Sequence, residues 1–249
     1  MNQTQLDQLL IEDVSPHFYR HYASLFQHYF NLENQGIYRT LDKAGHCLFQ
    51  LVMHIDRQED NFEDNTALCL DLQLESILLL SELFSTDHAF WQDFRYAQSL
   101  FGKRQLLEKR CQSYPSIKNY RHLAQSKAAL ASVALHALKH LDASTSALKG
   151  LERSHALFTE AFQLYDDCCD FREDSINGQF NWAIYRYRLH YEHELDPAHF
   201  FSSVLFNELM LQVIETIKNA QSLVHAMGDS HYSTMLEEFK ASVKRTLAN

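Results

Sequence analysis

The sequence predicts an all-α protein, and three observations carry that expectation. Only 3 Pro and 6 Gly occur in 249 residues, too few for the tight turns of a β-rich fold. Leu, Ala, Gln, Glu, Lys and Arg recur throughout, and all favour helix. Apolar residues fall three and four apart over runs of roughly ten to thirty residues. Hydrophobic residues make up 46 % of the chain, enough to bury a sizeable core. The expected architecture is one domain over residues 1–249, a bundle of about nine to eleven helices.

Polar and turn residues cluster at 31–36, 61–66, 85–88, 113–116, 142–146, 175–181, 195–198 and 228–231. These clusters mark the breaks between helices. The run Thr66-Ala-Leu-Cys-Leu-Asp-Leu-Gln-Leu-Glu-Ser-Ile-Leu-Leu-Leu is one expected helix, and residues 200–226 form another. Ser116 follows Pro115 and is placed to cap a helix running to Leu141. Asp196 followed by Pro197 reads as an N-cap with Pro in the first helical position. No internal repeat, low-complexity linker or composition shift divides the chain.

The formal charge is −10, so nucleic acid and anionic lipid are repelled rather than attracted. An anionic ligand is still open to such a protein when a metal bridges the two. Five cysteines, with no C-x-x-C pair, suggest buried thiols in a reducing compartment. The first residues lack a basic flank and an apolar run, so no secretory signal is expected. No stretch approaches the length of a membrane span, so no membrane insertion is expected. The cytoplasm is the expected location.

The most informative segment is Glu160-Ala-Phe-Gln-Leu-Tyr-Asp-Asp-Cys-Cys-Asp-Phe-Arg-Glu-Asp174. On a helix, Asp166, Asp170 and Asp174 stack one turn apart, about 6 Å between neighbours. Gln163, Asp167 and Glu173 flank the same stripe. Like charges at this spacing destabilise a helix by a few tenths of a kcal/mol per pair, and no Lys within the segment relieves them. Hard divalent cations take oxygen ligands. Mg²⁺ in particular binds through one or two carboxylates together with phosphates and waters. The stripe is thus suited to hold metal that in turn holds diphosphate.

Phe162-Gln163-x-x-Asp166-Asp167-x-x-Asp170 resembles the second aspartate-rich motif, FQxxDDxxD, of trans-prenyl diphosphate synthases. Asp170-Phe-Arg-Glu-Asp174, followed by Gly178 and Trp182, is similar to the D-x-x-E-D helix of squalene and phytoene synthases. Both belong to the class I isoprenoid synthase superfamily. The motif resemblance covers residues 155–182, and a looser likeness extends over about 70–190. It implies an all-α isoprenoid synthase fold around a central apolar cavity, Mg²⁺ as cofactor and a prenyl diphosphate as substrate. The implied metal ligands are Asp166, Asp167, Asp170, Glu173 and Asp174.

A class I site implies a second acidic helix facing the first, and no plain DDxxD stands upstream. Asp71 and Glu75 share a face at i,i+4 in an otherwise apolar run, where acids are costly unless paired or metal-bound. They are the preferred second metal ligands. Asp56-Arg-Gln-Glu-Asp60 has D-x-x-E-D spacing and is the alternative. Trp91 to Lys109, then Pro115, Tyr120 and Arg121, resembles the terpene-synthase passage into the helix whose break senses diphosphate. Arg121 and Lys127, with Gln163 and Arg186, are candidates for binding diphosphate, and Arg188 follows them.

The expected reaction is metal-assisted ionisation of an allylic prenyl diphosphate with release of diphosphate. A terpene synthase or cyclase is preferred, because the Arg pair usual in chain-elongating enzymes is absent. A prenyltransferase, coupling head to head or elongating, is one alternative. A non-catalytic helical protein that binds a lipid or a partner is the other. The expected partner is the prenyl diphosphate, with a homodimer allowed.

Overall fold

In the computed structural model, residues 21–61, 64–142, 148–191 and 194–248 are described. Among them the chain is all-α, with twelve α-helices and one short 3-10 turn, Ser24–Tyr29. The helices are α1 (Gln35–Asn61), α2 (Thr66–Ser81), α3 (Phe90–Gly102), α4 (Arg104–Ser113), α5 (Ile117–Lys127) and α6 (Ser132–Leu141). There follow α7 (Leu148–Cys169), α8 (Phe171–Asn177), α9 (Trp182–His190), α10 (Pro197–Ser202), α11 (Val204–His225) and α12 (His231–Ala248). No described helix is long and apolar enough to cross a membrane. All five cysteines are free thiols, and only Cys169 is exposed.

The helix boundaries follow local chemistry. Ser116 caps α5 by accepting from the Asn119 amide at 3.2 Å. Asn181 caps α9 by accepting from Ile184 at 3.0 Å. Asp196 caps α10 through Ala198 and His199, with Pro197 in the first turn. Each such cap satisfies amide donors that the helix itself leaves open.

The structure also breaks three runs that periodicity alone joins. The expected helix from Ser116 to Leu141 stops at Lys127 and resumes at Ser132. Its Ala-rich junction has strong helix propensity, so composition does not explain the stop. The buried Ser126 hydroxyl donates back to the Leu123 carbonyl at 2.7 Å, a side-chain bond that competes with the ladder and bends helices. The run over 200–226 breaks at Ser203, whose hydroxyl accepts from Phe206 at 3.2 Å and starts α11. The acidic run breaks at Asp170, between α7 and α8. These interruptions bring the count just above the nine to eleven helices expected.

The described chain groups into two compact units. The first comprises the described residues within 1–98 and 130–145, the second those within 99–129 and 146–249. In the first, α1 packs along α2 and against α6. Tyr38, Leu41, Ala44, Cys47, Leu48 and Leu51 form the buried face of α1. Beside them runs a buried polar line, Asp42, His46, Gln50 and His54, at four-residue steps. Asp42 receives the Ser24 amide at 3.0 Å and the Ser24 hydroxyl, fastening the 3-10 turn to α1. Phe84 and Phe90 stack with ring centroids 4.1 Å apart. His140 of α6 meets the Asp93 carboxylate of α3 at 2.9 Å.

In the second unit, α7 and α11 form the main interface, and α12 closes over α11. Leu151, Phe158, Ala161 and Leu164 of α7 are buried, as are Leu209, Met210, Val213, Ile217 and Val224 of α11. Burying each large aliphatic side chain contributes about 1.5–3 kcal/mol. Gly150 permits the close approach at one end. A Cβ there would lie 2.5 Å from the Met227 methyl and 3.3 Å from the Leu223 carbonyl oxygen. The Ser154 hydroxyl, fully buried, donates to the Ala220 carbonyl at 2.8 Å and lies 3.2 Å from the Tyr232 hydroxyl. It ties α7, α11 and α12 together. Ser154→Ala is therefore expected to destabilise the protein by about 1–2 kcal/mol, because it removes the buried hydrogen bonds that link the three helices. Urea denaturation of the variant beside wild type checks this.

Candidate functional site

The acidic segment occupies the end of α7 and all of α8, in the second unit. It bends without coming apart. Asp170 sits at φ −88, ψ 7, outside the helical region. Even so, its amide donates to the Asp166 carbonyl at 2.8 Å, and the Asp174 amide donates to the Asp170 carbonyl at 2.9 Å. The one-turn spacing of Asp166, Asp170 and Asp174 is thus kept through the bend. Gly178 ends α8 in the left-handed conformation, φ 69. Its amide and that of Gln179 close on the Asp174 carbonyl, a helix stop that suits a residue without Cβ. Behind the bend, Phe171 is fully buried and stacks on Phe200 at 3.9 Å, with Tyr187 edge-on at 5.5 Å.

The carboxylates differ in their surroundings. Asp167 is buried, with Oδ1 accepting from the Gln163 amide at 2.8 Å and Oδ2 from the Trp182 backbone amide at 3.0 Å. Gln163, expected as a diphosphate ligand, donates to Asp167. Asn181 is buried as well. Its amide donates to the Asp167 carbonyl at 2.6 Å and to Asp174 Oδ2 at 2.8 Å. Asp166 and Asp174 are half-buried, while Asp170 and Glu173 reach solvent.

Repulsion and burial act together on these groups. Asp166 is pushed up to about 7, first by burial and then by Asp170 and Asp167. Asp167 is pushed up to about 6 by burial, with Lys127 and its own hydrogen bonds pulling the other way. Asp170 is raised by burial, then by Asp174 and Glu173. The charge of Lys127 lowers all three. Lys127 ends α5, which packs on α7. Within the segment the sequence offers Arg172 but no Lys, and the fold supplies Lys127 from forty residues upstream of Asp167.

Tyr120, also on α5, stacks on Trp182 at 4.9 Å. Burial and then the Asp167 charge hold its hydroxyl well above its usual value. Neither that hydroxyl nor the Trp182 indole nitrogen makes a well-formed hydrogen bond among the described residues. Arg121 gives its Nε to Glu160 Oε1 at 2.8 Å, the guanidinium half-exposed and the carboxylate buried. Arg121 is therefore held on α7 by Glu160, at the other end of the stripe from Asp174. Arg186 is half-buried on α9 and Arg188 is exposed.

Asp71 and Glu75 lie on α2 in the first unit, both half-buried. Glu75 leans toward α1, where the Cys47 thiol is pushed up to about 12 by burial and then by the Glu75 charge. The alternative motif lies in the last turns of α1. Beyond Asp56 its side chains are outside the described residues.

Among the described residues, no three His, Cys, Asp or Glu side chains converge on one point as a ready cation cage. The stripe offers hard oxygens along a line instead. Such a surface suits a cation that brings part of its own coordination as phosphate oxygens and water. Asn181 is a part of the site that the sequence does not single out, and Tyr120 one to which it assigns no role. The signal for Asn181 was its position just before Trp182-Ala-Ile, where an N-cap residue belongs. Tyr120 stood in the sequence only as part of the terpene-synthase-like passage, with no role of its own. Neither the models of known protein families nor the curated proteins compared with this sequence give a match.

A pH dependence follows from the raised carboxyls. Asp166 keeps its proton in the folded chain up to about 7, whereas an unfolded aspartate loses it near about 3.9. Between those values the folded state binds more protons, so stability falls as pH rises and levels off above the folded value. The protein without added metal is expected to melt at higher temperature near pH 5.5 than near pH 8. Asp166→Asn removes its share of that slope. A melting series across pH on both proteins checks it, and parallel profiles would show Asp166 titrating as a solvated group.

Proposed function

We propose that the chain is a class I isoprenoid synthase that releases diphosphate from an allylic prenyl diphosphate with the help of Mg²⁺. Terpene synthesis or cyclisation is preferred to prenyl transfer. The observation that carries this is the bent acidic stripe of α7 and α8 with Lys127 set against it, on an all-α scaffold. The likeness of the same residues to FQxxDDxxD and D-x-x-E-D motifs supports it. So does the interruption of helix directly after Lys127, where the terpene-synthase passage has its diphosphate-sensing break.

On this reading Asp166, Asp170, Glu173 and Asp174 would hold Mg²⁺. When bound, Mg²⁺ supplies Lewis acidity to the diphosphate leaving group. Asp71 and Glu75 are proposed as the second acidic group. Lys127 adds positive charge beside the stripe, which favours an anionic ligand there and stabilises charge developing on departing oxygens. Arg121 is held by Glu160 through its Nε. The buried aromatic side chains keep water from the apolar part of the substrate.

A second reading, a non-catalytic helical protein that binds a lipid or partner, is favoured by the absence of a plain DDxxD upstream of the stripe. The two are separated by incubation with geranyl, farnesyl and geranylgeranyl diphosphates plus Mg²⁺, with diphosphate release as the readout. Release by wild type and its loss in Asp170→Asn, with the melting temperature kept, is the expected result. A variant with near wild-type turnover would remove the stripe from the mechanism, and no release from any substrate would favour the second reading.

A further inference from the structure

The acids of the stripe fall into two kinds by their partners. Asp170 and Glu173 face solvent and Asp166 is half-buried. Asp167 points the other way: it is 5 % exposed, and each of its oxygens already accepts from the protein, from Gln163 and from the Trp182 amide. A cation taken at Asp167 would compete with the buried Trp182 amide and the half-buried Gln163 amide for the same two oxygens, and displacing a buried N–H costs about 1–3 kcal/mol. Asn181, 2 % exposed, does three jobs with one side chain. Its oxygen caps α9 through Ile184, and its amide bridges the Asp167 carbonyl and the Asp174 carboxylate. The carbonyl it takes lies in the last turn of α7, beside the bend at Asp170. The Asp174 oxygen it holds belongs to a carboxylate at the far side of that bend.

We propose that Asp167 and Asn181 are positioning residues. Together they form a buried bracket that fixes the bend at Asp170 and aims Asp174, and Asp167 binds no cation itself. This deepens the functional reading above and rests on it for what the stripe holds, although the bracket itself is a matter of hydrogen bonds within the second unit. Partners of this kind behind a metal ligand set its orientation.

The bracket separates substitutions that a simple acidic patch would treat alike. Asp167→Asn keeps the shape and both hydrogen bonds: its oxygen accepts from Trp182, and its amide meets Gln163 once that amide turns over. Asp167→Ala keeps neither. Asn181→Ser retains an N-cap acceptor for α9 but loses both donations across the bend. The probe is Mg²⁺ titrated against a fixed concentration of inorganic diphosphate, with the melting temperature as readout. Asp167→Asn is expected to keep the wild-type Mg²⁺ midpoint, Asp170→Asn to lose the response, and Asn181→Ser to raise the midpoint by about tenfold. Asp167→Ala should lower the melting temperature, with Asp167→Asn restoring it. Loss of response in Asp167→Asn to the extent seen in Asp170→Asn would make Asp167 a ligand and overturn the proposal. An unchanged midpoint in Asn181→Ser would do the same for Asn181.

If wild type itself shows no joint response to Mg²⁺ and diphosphate, the functional reading falls, and amide hydrogen exchange decides the bracket alone. Exchange in α8 faster by about tenfold in Asn181→Ser, with the first turn of α9 as protected as in wild type, supports it. Unchanged exchange in α8 overturns it.

Discussion

The second unit depends on holding mutually repelling carboxylates together at one bend of a helix. Asp166, Asp167, Asp170, Glu173 and Asp174 stand within a few turns, and their charges raise one another's proton affinity. A free helix of this composition would relieve the strain by fraying. Here it cannot, because Phe171 is locked in an aromatic cluster behind the bend and Asp167 is buried with both oxygens bonded. The repulsion is thus offset by packing and hydrogen bonds made on the opposite side of the same segment. Energy stored in this way is what a cation or a proton would relieve.

The rest of the unit supplies rigidity for that arrangement. α7 packs along most of α11, and Gly150 and Ser154 set how closely the two approach. A rigid α7 delivers Asp166 and Asp167 in fixed orientation, and α5, packed on the same helix, delivers Lys127 and Tyr120. Lys127 is the basic group that shapes the stripe electrostatically. Arg121, one helical face away on α5, is neutralised by Glu160. Two basic residues on one short helix therefore have different roles: one is spent on the scaffold, the other on the site.

The first unit has its own polar design. Asp42, His46, Gln50 and His54 run along α1 at one-turn spacing, all buried, beside an apolar face of comparable length. Buried polar groups cost free energy unless partnered, and Asp42 shows the compensation through Ser24. Across α1 and α2, the Glu75 charge acts on the buried Cys47 thiol. An acid on that face of α2 is tolerated because it remains half-exposed.

Composition and three-to-four periodicity were enough to determine the all-α class, because helix formation is mostly local. The caps at Ser116 and Asp196 were legible for the same reason: a side chain bonding an amide two or three residues ahead needs no tertiary partner. The acidic stripe was legible as spacing. The breaks at Ala128–Ala131, Asp170 and Ser203 were not, since these runs keep good helical periodicity and are interrupted by buried side-chain bonds. Nor could the sequence tell that Asp167 turns inward while Asp170 turns outward, or that Lys127 comes to the stripe and Arg121 goes to Glu160. Those outcomes depend on which distant helix lies alongside, and pairwise distance between α5, α7 and α9 is decided only when the chain packs.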